Sequence, residues 1–154
     1  MNISKHISLK EALRSNTARR LGLDNFPPND ILVKMRDTAE NVFEPLREHF
    51  GEPICISSFY RSEELNKAIG GSSTSQHCHG EAIDIDDVYS KATNADFFEY
   101  IKYNVDFDQL IWEFGDDNNP DWVHVSYKGE NNRKRILKAT KQNGKTVYID
   151  ITHE

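Results

Sequence analysis

Residues 75–86, with the sequence SQHCHGEAIDID, concentrate side chains that can bind metal ions. Two histidines, one cysteine and three acidic residues fall within these twelve positions of a 154-residue chain. Imidazole, thiolate and carboxylate groups are the usual protein ligands of zinc. The segment is therefore either a metal site or a patch of solvated polar residues, and the strands around it distinguish the two.

The alternation in AIDID predicts a strand whose successive side chains face opposite sides of a sheet. Ile83 and Ile85 can then be buried in the core, while Asp84 faces the other side. Gly80 allows the backbone to bend just before this strand, because glycine adopts conformations that other residues avoid. The bend lets the chain fold back so that His77 meets Asp84.

A second segment, DWVHVSY, has the same alternation. Val123 and Val125 take the core face, and His124 takes the opposite face. If the two strands are neighbours, His77, Asp84 and His124 can converge on one point. Two imidazoles and one carboxylate are a catalytic type of zinc ligand set, because a fourth position stays open for water, whereas structural sites are more often closed by thiolates.

These residues resemble a known family. The pattern S-x-H-x-x-G-x-A-x-D at 75–84, followed by W-x-H at 122–124, looks like that of the zinc D-Ala-D-Ala peptidases of the M15 family. That family shares its metal centre with the hedgehog signalling domain. The segment SSFYRSEELN at 57–66 is similar to the family's S-G-Y-R-S-x-x-L-N, with phenylalanine where glycine is usual. The resemblance extends from about residue 17 to residue 127.

The resemblance implies one zinc ion per chain, bound by His77, Asp84 and His124. It implies an α+β fold of the hedgehog/DD-peptidase type, built around an antiparallel sheet. It also implies metal-assisted hydrolysis of peptide bonds in the stem peptides of bacterial peptidoglycan, by a D-Ala carboxypeptidase or an endopeptidase.

Two further residues receive substrate-binding roles through the resemblance. Arg61 is expected to point into the cleft, contact a carbonyl or carboxylate of the substrate and help stabilise the oxyanion. A guanidinium group suits this role because it is permanently charged and binds two oxygens at once. Ser75, just before the first ligand, is expected to hydrogen-bond the substrate.

The general base has two candidates. Asp121 lies three residues before His124, as in family members with an E-x-x-H arrangement. In a strand, however, residues three apart face opposite sides, so the side chain of Asp121 would point away from the side that His124 faces. Glu113 ends the run QLIWE, and the hedgehog-like branch places an acid at the end of the equivalent strand. An apolar setting would raise the pKa of Glu113 towards the working range of a base. We favour Glu113 and keep Asp121 as the alternative.

Other ligands and another metal are also compatible with the segment. His79 and Cys78 are close to His77 in sequence, but we expect His79 to face solvent or support a ligand and Cys78 to be a small buried residue. Non-haem iron oxygenases use the same ligand types, yet usually with an H-x-D pair that is absent here. Zinc is therefore the expected metal.

The elements that must position these residues follow from periodicity and capping signals. We predict helices over residues 8–15, 30–49, 62–70 and 94–104, capped respectively by Ser8, by Asn29 or Asp30, by Ser62 and by Asn94. We predict strands over residues 52–60, 82–88, 108–114, 121–127, 134–140 and 145–151, the last two joined by a tight Asn143-Gly144 turn. Helices precede most strands, which favours an α+β domain with helices on one side of an antiparallel sheet.

Length and composition limit the other possibilities. A chain of 154 residues with 37% hydrophobic residues predicts one globular domain over 1–154, which we expect to be monomeric. A net charge of −6 argues against a nucleic-acid partner. The basic run RKRILKATK at 133–141 is typical of a solvated edge strand. Two cysteines are too few for a disulfide framework.

Location and activity leave alternatives open. No stretch is apolar enough for membrane insertion, and the N-terminus lacks a signal peptide, so we expect synthesis in the cytoplasm. This architecture resembles phage or prophage enzymes that reach the cell wall through a holin or inside the virion, although a host enzyme that recycles wall peptides fits nearly as well. A non-catalytic zinc-containing module, binding the cell wall or serving in a virion, is the alternative to an enzyme.

Overall fold

The computed structural model describes all residues from 1 to 154 and contains helices, a large sheet and a short N-terminal ribbon. The helices are α1 (Leu9–Leu13), α2 (Asn16–Leu21), α3 (Asn29–Thr38), α4 (Glu44–Phe50), α5 (Glu63–Ala68) and α6 (Asn94–Asn104), with a π-helical segment (Ala39–Phe43) between α3 and α4 and a 3-10 turn (Gln76–His79). The strands are β1 (Asn2–Ser4), β2 (Ile7–Ser8), β3 (Cys55–Ser58), β4 (Ala82–Asp86), β5 (Gln109–Glu113), β6 (Trp122–Ser126), β7 (Arg135–Gln142) and β8 (Lys145–Asp150).

The main sheet has six strands in the order β3-β4-β6-β5-β7-β8. Four of its pairings are antiparallel, but β5 and β7 run parallel. The prediction of an antiparallel sheet is wrong for this one pair. Both edges of β6 are already paired, one with β4 and the other with β5, so β7 pairs with the remaining edge of β5. Because the chain reverses direction after β6, β7 runs in the same direction as β5.

One face of the sheet packs against helices. Ile83, Val123 and Leu110 of the central strands are fully buried on this face. They belong to one cluster of 25 buried residues that also includes Met35 of α3 and Phe97 of α6. The predicted α+β class is therefore confirmed, and this cluster holds the central strands in place.

The other face of the central strands carries polar side chains together with a small apolar cluster. Ile111, Leu137 and Ala139 form that cluster on β5 and β7. Asp84 and His124 lie on the same face, because each pairs directly with its neighbour in the register Asp84–His124–Ile111–Leu137. The helix-packed face therefore stabilises the fold, and the opposite face is free for chemistry.

Most predicted element positions agree with the structure, with several local differences. The hydroxyl oxygens of Ser8 and Ser62 accept bonds from the expected helix N–H groups, as predicted. The cap of α6 is Thr93, and Asn94 is the first helical residue, because Thr93 forms a reciprocal capping box with Asp96. The helix predicted over 30–49 runs from residue 29 to residue 50 and contains the π-helical segment. The predicted cap is wrong here, because the helix follows Pro28 and neither Asn29 nor Asp30 caps it.

Three features were not predicted. The ribbon of β1 and β2 and the short helix α2 lie where no element was expected. The basic run at 133–141 is not an edge strand, because β8 covers the outer edge of β7.

The Asn143-Gly144 turn between β7 and β8 forms as expected, with both residues at positive φ.

None of the helices combines the length and the apolar character that are needed to cross a bilayer.

Gly80 provides the backbone bend that was expected between His77 and β4. It adopts a φ of +70°, and a Cβ added there would lie 2.7 Å from Met35 Cγ and 3.1 Å from the carbonyl oxygen of Ile31. Only glycine fits this position without strain, because both the backbone conformation and the neighbouring helix α3 exclude a side chain.

Gly80→Ala should lower the free energy of unfolding by about 2–4 kcal/mol, combining left-handed strain with overpacking. Gly22→Ala is the matched control, because Gly22 has a φ of +67° but nothing within 4 Å of an added Cβ. That control should lose only about 1 kcal/mol. Urea denaturation of both variants measures the difference, and equal losses would show that contact with α3 is unimportant.

Candidate active site

The three predicted metal ligands lie together on the free face of the sheet. Asp84 of β4 stands directly opposite His124 of β6, and His77 reaches them from the 3-10 turn that Gly80 ends. One ligand atom from each of the three residues lies within 4.8 Å of the other two. No other three such side chains of the chain form a comparable group. The expected convergence is therefore present.

His77 is held in one orientation by the backbone. Its ring is buried, and Nδ1 lies 2.7 Å from the carbonyl oxygen of Phe59. A carbonyl only accepts hydrogen bonds, so Nδ1 carries a proton, and Nε2 is the ring nitrogen that a metal can bind. Nε2 lies 3.3 Å from Asp84 Oδ2. The contact with Phe59 thus orients the nitrogen that can bind a metal.

Asp84 lies between the two imidazoles. Its Oδ1 is 2.9 Å from His124 Nδ1, and its Oδ2 faces His77. Burial alone would favour the neutral acid, but the charge and hydrogen bonds of the two imidazoles hold the pKa of Asp84 well below its usual range. The group therefore remains an ionised carboxylate, which is the form that binds a cation.

The donor atoms fit a zinc ion in type and spacing. Tetrahedral zinc with ligand bonds of about 2.1 Å separates its donors by roughly 3.4 Å. The two carboxylate oxygens of Asp84 lie 2.9 Å from His124 Nδ1 and 3.3 Å from His77 Nε2, close to that separation, and one donor atom of each residue lies within 4.8 Å of the other two. Two imidazole nitrogens and one carboxylate also provide the open, three-ligand set of catalytic zinc sites. His77, Asp84 and His124 are therefore the residues that would hold the ion.

Glu113 lies on the same face of the sheet, at the end of β5. It pairs with Trp122, two residues before His124, and only 7% of its surface is exposed. Burial raises the pKa of Glu113 to about 7, with the nearby charges of His124 and Asp84 acting in opposite directions. A carboxylate with this pKa can both accept and return a proton near neutral pH.

Asp121, the alternative base, has a different position. It is exposed, lies one residue before β6 and does not line the cleft. Its backbone N–H donates to the carbonyl oxygen of Glu113 at 2.9 Å. The geometry therefore favours Glu113 as the residue that faces the ligands.

Arg61 lines the cleft on the β3 side of the ligands. Its Nη2 donates to Ser75 Oγ at 3.2 Å, and its backbone N–H donates to the carbonyl oxygen of His77 at 3.3 Å. Its buried Nε has no hydrogen-bond partner, and no acidic side chain forms an ion pair with it. The guanidinium group is thus held in place while part of it remains available to a ligand.

Ser75 also lines the cleft, but its oxygen is already used within the protein. It accepts from the backbone N–H of His77 at 3.3 Å as well as from Arg61. Its hydroxyl hydrogen remains available for donation. Ser75 therefore joins Arg61 to the turn that carries His77, and it could still donate one bond to a substrate.

The two neighbouring candidates for metal ligands lie apart from the ligand group. His79 is exposed and lines the outer part of the cleft. Cys78 is half-buried, and burial raises the pKa of its thiol, which disfavours the thiolate that zinc requires. These placements agree with the expectation that neither residue is a ligand.

The cleft has a volume of about 1090 Å³ and extends beyond the ligands onto β7 and β8. Arg135, Lys141 and Tyr148 line this part, and the sequence reasoning did not identify them. The signal that could have found them is the alternation from 135 to 141, which places Arg135, Leu137, Ala139 and Lys141 on one face. The basic character of this run directed the interpretation towards an edge strand instead.

A buried carboxylate at one end of the cleft was also missed. Asp108 is fully buried and accepts bonds from Gln76 Nε2 at 3.0 Å, from Arg133 Nε at 3.0 Å and from Arg133 Nη2 at 2.7 Å. Despite its burial, these bonds hold the pKa of Asp108 at about 2. The carboxylate joins the turn that carries His77 to the loop after β6.

Comparison with known proteins agrees with this geometry. The sequence model of the peptidase M15 family matches residues 5–126, which include Arg61, Glu113 and all three candidate ligands. The chain belongs to the peptidase M15 family. No curated protein matches the sequence. Membership of the M15 family supports a zinc-dependent metallopeptidase, and the matched region ends two residues after His124.

Metal analysis of purified variants tests the ligand group. The wild-type chain should bind one zinc ion, and His77→Ala or His124→Ala should weaken zinc binding by at least about 100-fold, the upper range for loss of a supporting group. His79→Ala and Cys78→Ser should keep the full zinc content, since neither side chain belongs to the group. A full zinc complement in His124→Ala would show that the ligand set is wrong.

The raised pKa of Glu113 predicts a pH-dependent stability of the metal-free protein. The unfolded carboxyl group titrates near 4.5 and the folded one near 7. Between these values the folded chain holds a proton that the unfolded chain has released, so stability falls as the pH rises through this window. The total loss is about 3 kcal/mol.

Glu113→Gln removes this titration. The chelator-treated variant should therefore be more stable than the chelator-treated wild type by about 2–3 kcal/mol at pH 8, and the difference should shrink towards zero near pH 4. Asp121→Asn, at an exposed position, should follow the wild type at both pH values. Urea denaturation at the two pH values measures this, and a constant offset between Glu113→Gln and wild type would contradict it.

Proposed function

We propose that this protein is a zinc-dependent peptidase that cleaves stem peptides of bacterial peptidoglycan, as a D-Ala carboxypeptidase or an endopeptidase. The single observation that supports it most is the position of Glu113. A buried carboxylate whose pKa is raised to about 7 lies on the strand next to His124, on the face that carries all three candidate ligands. A purely structural metal site would not need such a group.

The surrounding residues fit the steps of amide hydrolysis. When bound by His77, Asp84 and His124, zinc supplies a Lewis acid that activates water and polarises a carbonyl group. Glu113 in its ionised form accepts the proton of the attacking water and then donates it to the leaving amine. Arg61 binds a carbonyl or carboxylate oxygen of the substrate and stabilises the charge that develops there.

The positions of these groups are set before the substrate arrives. Ser75 holds the guanidinium group of Arg61, and the carbonyl oxygen of Phe59 fixes the ring of His77. Such preorganisation matters because groups that are already oriented need no rearrangement during the reaction. The hedgehog/DD-peptidase type of fold, a single domain and a monomeric state belong to the same proposal.

The origin and location of the protein also remain proposals. A phage or prophage lytic enzyme that reaches the wall through a holin or in the virion is the function we favour, with a host enzyme that recycles wall peptides as the second candidate. Peptidoglycan peptides are the proposed partner, and we expect neither nucleic acid nor membrane insertion.

Hydrolysis of purified peptidoglycan by the zinc-loaded protein tests the proposal directly. Released D-alanine would indicate a carboxypeptidase, and new peptide amino groups without free D-alanine would indicate an endopeptidase. A protein that binds zinc and peptidoglycan but releases neither product would be the non-catalytic module instead.

Paired variants identify the base. Glu113→Gln should keep zinc and lose hydrolytic activity by a factor of about 100 or more, the usual scale for removal of a general base. Asp121→Asn should lose less than about tenfold, because its side chain does not line the cleft. The opposite order would give the role to Asp121, and two active variants would mean that neither residue is the base.

A further inference from the structure

The cleft differs in charge from the rest of the molecule. Its lining contains the cationic residues Arg61, Lys128, Arg133, Arg135 and Lys141 and the acidic residues Glu81, Asp84 and Glu113. The cleft thus has an excess of two positive charges, whereas the whole chain has a net charge of −6. Bound zinc would add two more positive charges. Such a cleft attracts anionic ligands, because its field is opposite in sign to that of the surrounding surface.

Most of this positive charge comes from one part of the chain. Four of the five cations lie after residue 126, where the match to the peptidase M15 family ends. No acidic residue from 127–154 lines the cleft. The candidate ligands, Glu113 and Arg61 therefore lie within the family match, while the remaining cations are supplied by a segment that the match does not include.

Three of these cations surround one end of the cleft. Arg135 pairs with Gln109 across β5 and β7, two residues along each strand from the row that contains His124. Two residues of a strand span about 7 Å, so this row lies close beside the metal ligands. Lys128 and Arg133 follow β6 in the loop that leads to Arg135. The three cations therefore define a site next to the ligands, which we call the β7 cationic site.

Within the β7 cationic site, the protein fixes the side chain of Arg133 and the backbone at Lys128 before any ligand binds. Arg133 donates through Nε and Nη2 to the fully buried Asp108, so its other N–H groups can point outward. The backbone N–H of Lys128 donates to Asn132 Oδ1 at 2.8 Å, which orders the loop between these two residues. Cations that are already positioned bind an anion at a lower entropic cost.

Few acidic groups neutralise this site. Lys128 has no acidic partner within ion-pair distance. The only ion pair of Arg135 is with the exposed Asp150, at a separation of 3.7 Å, and such surface pairs contribute little. Glu81, which also lines the cleft, lies 3.9 Å from Lys34. Arg133 is compensated by the buried Asp108, so the positive charge that is available to a ligand comes from Lys128 and Arg135.

The β7 cationic site lies far from Arg61, so it is distinct from the substrate contact proposed for that residue. Arg61 follows β3, and three strands lie between β3 and β7. At about 4.8 Å per strand, the two flanking strands are roughly 19 Å apart, and the metal ligands lie between them. An extended peptide advances about 3.4 Å per residue. A peptide of three to five residues can therefore contact both ends of the cleft when the long cationic side chains reach inward.

We infer that the β7 cationic site is a second anion subsite, which binds a carboxylate of the peptide on the side of the scissile bond opposite Arg61. This inference rests on the proposed peptidase function and narrows it to substrates with two carboxylates, one at each end of the cleft. Arg135 and Lys128 provide the contacts, and Arg133 contributes through the N–H groups that do not bind Asp108. A peptide whose corresponding carboxylate is amidated lacks the charge that these residues bind.

Two soluble stem peptides test the subsite, one with a free internal carboxylate and one with that carboxylate amidated. The wild-type enzyme should favour the free form by about tenfold or more in kcat/KM, mainly through KM, which corresponds to one lost charge-assisted contact. The double variant Arg135→Gln, Lys128→Gln should lose this preference and hydrolyse the amidated peptide as the wild type does. Arg133 stays unchanged so that Asp108 keeps its partner.

Lys145→Gln is the matched control. Lys145 is an exposed cation of the same hairpin, but it does not line the cleft, unlike its neighbour Thr146. This variant should keep the wild-type preference for the free carboxylate. Equal hydrolysis of both peptides by the wild type, or an equal loss on both peptides in the double variant, would overturn the subsite.

A binding measurement separates failure of the subsite from failure of the proposed function. If the zinc-loaded wild type hydrolyses neither peptide, the peptidase proposal fails. Calorimetric binding of both peptides to Glu113→Gln then still tests the subsite, because that variant keeps every cation. Tighter binding of the free carboxylate, lost in the triple variant that also carries the two glutamines, would support the subsite, and equal binding would overturn it.

Discussion

The register between β4 and β6 is the constraint on which the whole site depends. It places Asp84 opposite His124, and at the same time it buries Ile83 and Val123 on the other face. A slip by one residue would turn the carboxylate into the core and the isoleucine into the cleft. The hydrophobic burial that stabilises the sheet therefore also enforces the geometry of the candidate metal ligands, and the two cannot vary independently.

The same sheet face gives two buried carboxylates opposite properties. Asp84 lies between two imidazoles and remains ionised, whereas Glu113 lacks a hydrogen-bonding partner and is protonated up to about pH 7. Both residues lose hydration, so the difference comes from their neighbours rather than from burial itself. One carboxylate can thus serve as a permanent ligand while the other exchanges a proton, without any difference in the chemistry of the side chains.

Local pattern predicted much of the site, because side-chain parity within a strand is independent of the rest of the fold. Alternation in AIDID and DWVHVSY was enough to place Asp84 and His124 on a common face. The order of the strands was not available from these patterns, so the parallel position of β7 and the cleft contacts of Arg135 could not be predicted. The predicted cap of α6 differs from the observed one by a single residue, because Thr93 and Asn94 are both good capping residues.

The two hydrogen bonds that join residues 59–61 to His77 have an energetic consequence. The ring of His77 donates to the carbonyl oxygen of Phe59, and the backbone N–H of Arg61 donates to the carbonyl oxygen of His77. A metal ion that restrains this imidazole also restrains Arg61, the residue that we propose contacts the substrate. Thermodynamic linkage makes such an effect reciprocal, so a bound peptide would tighten the binding of the metal by the same free energy with which the metal favours the peptide.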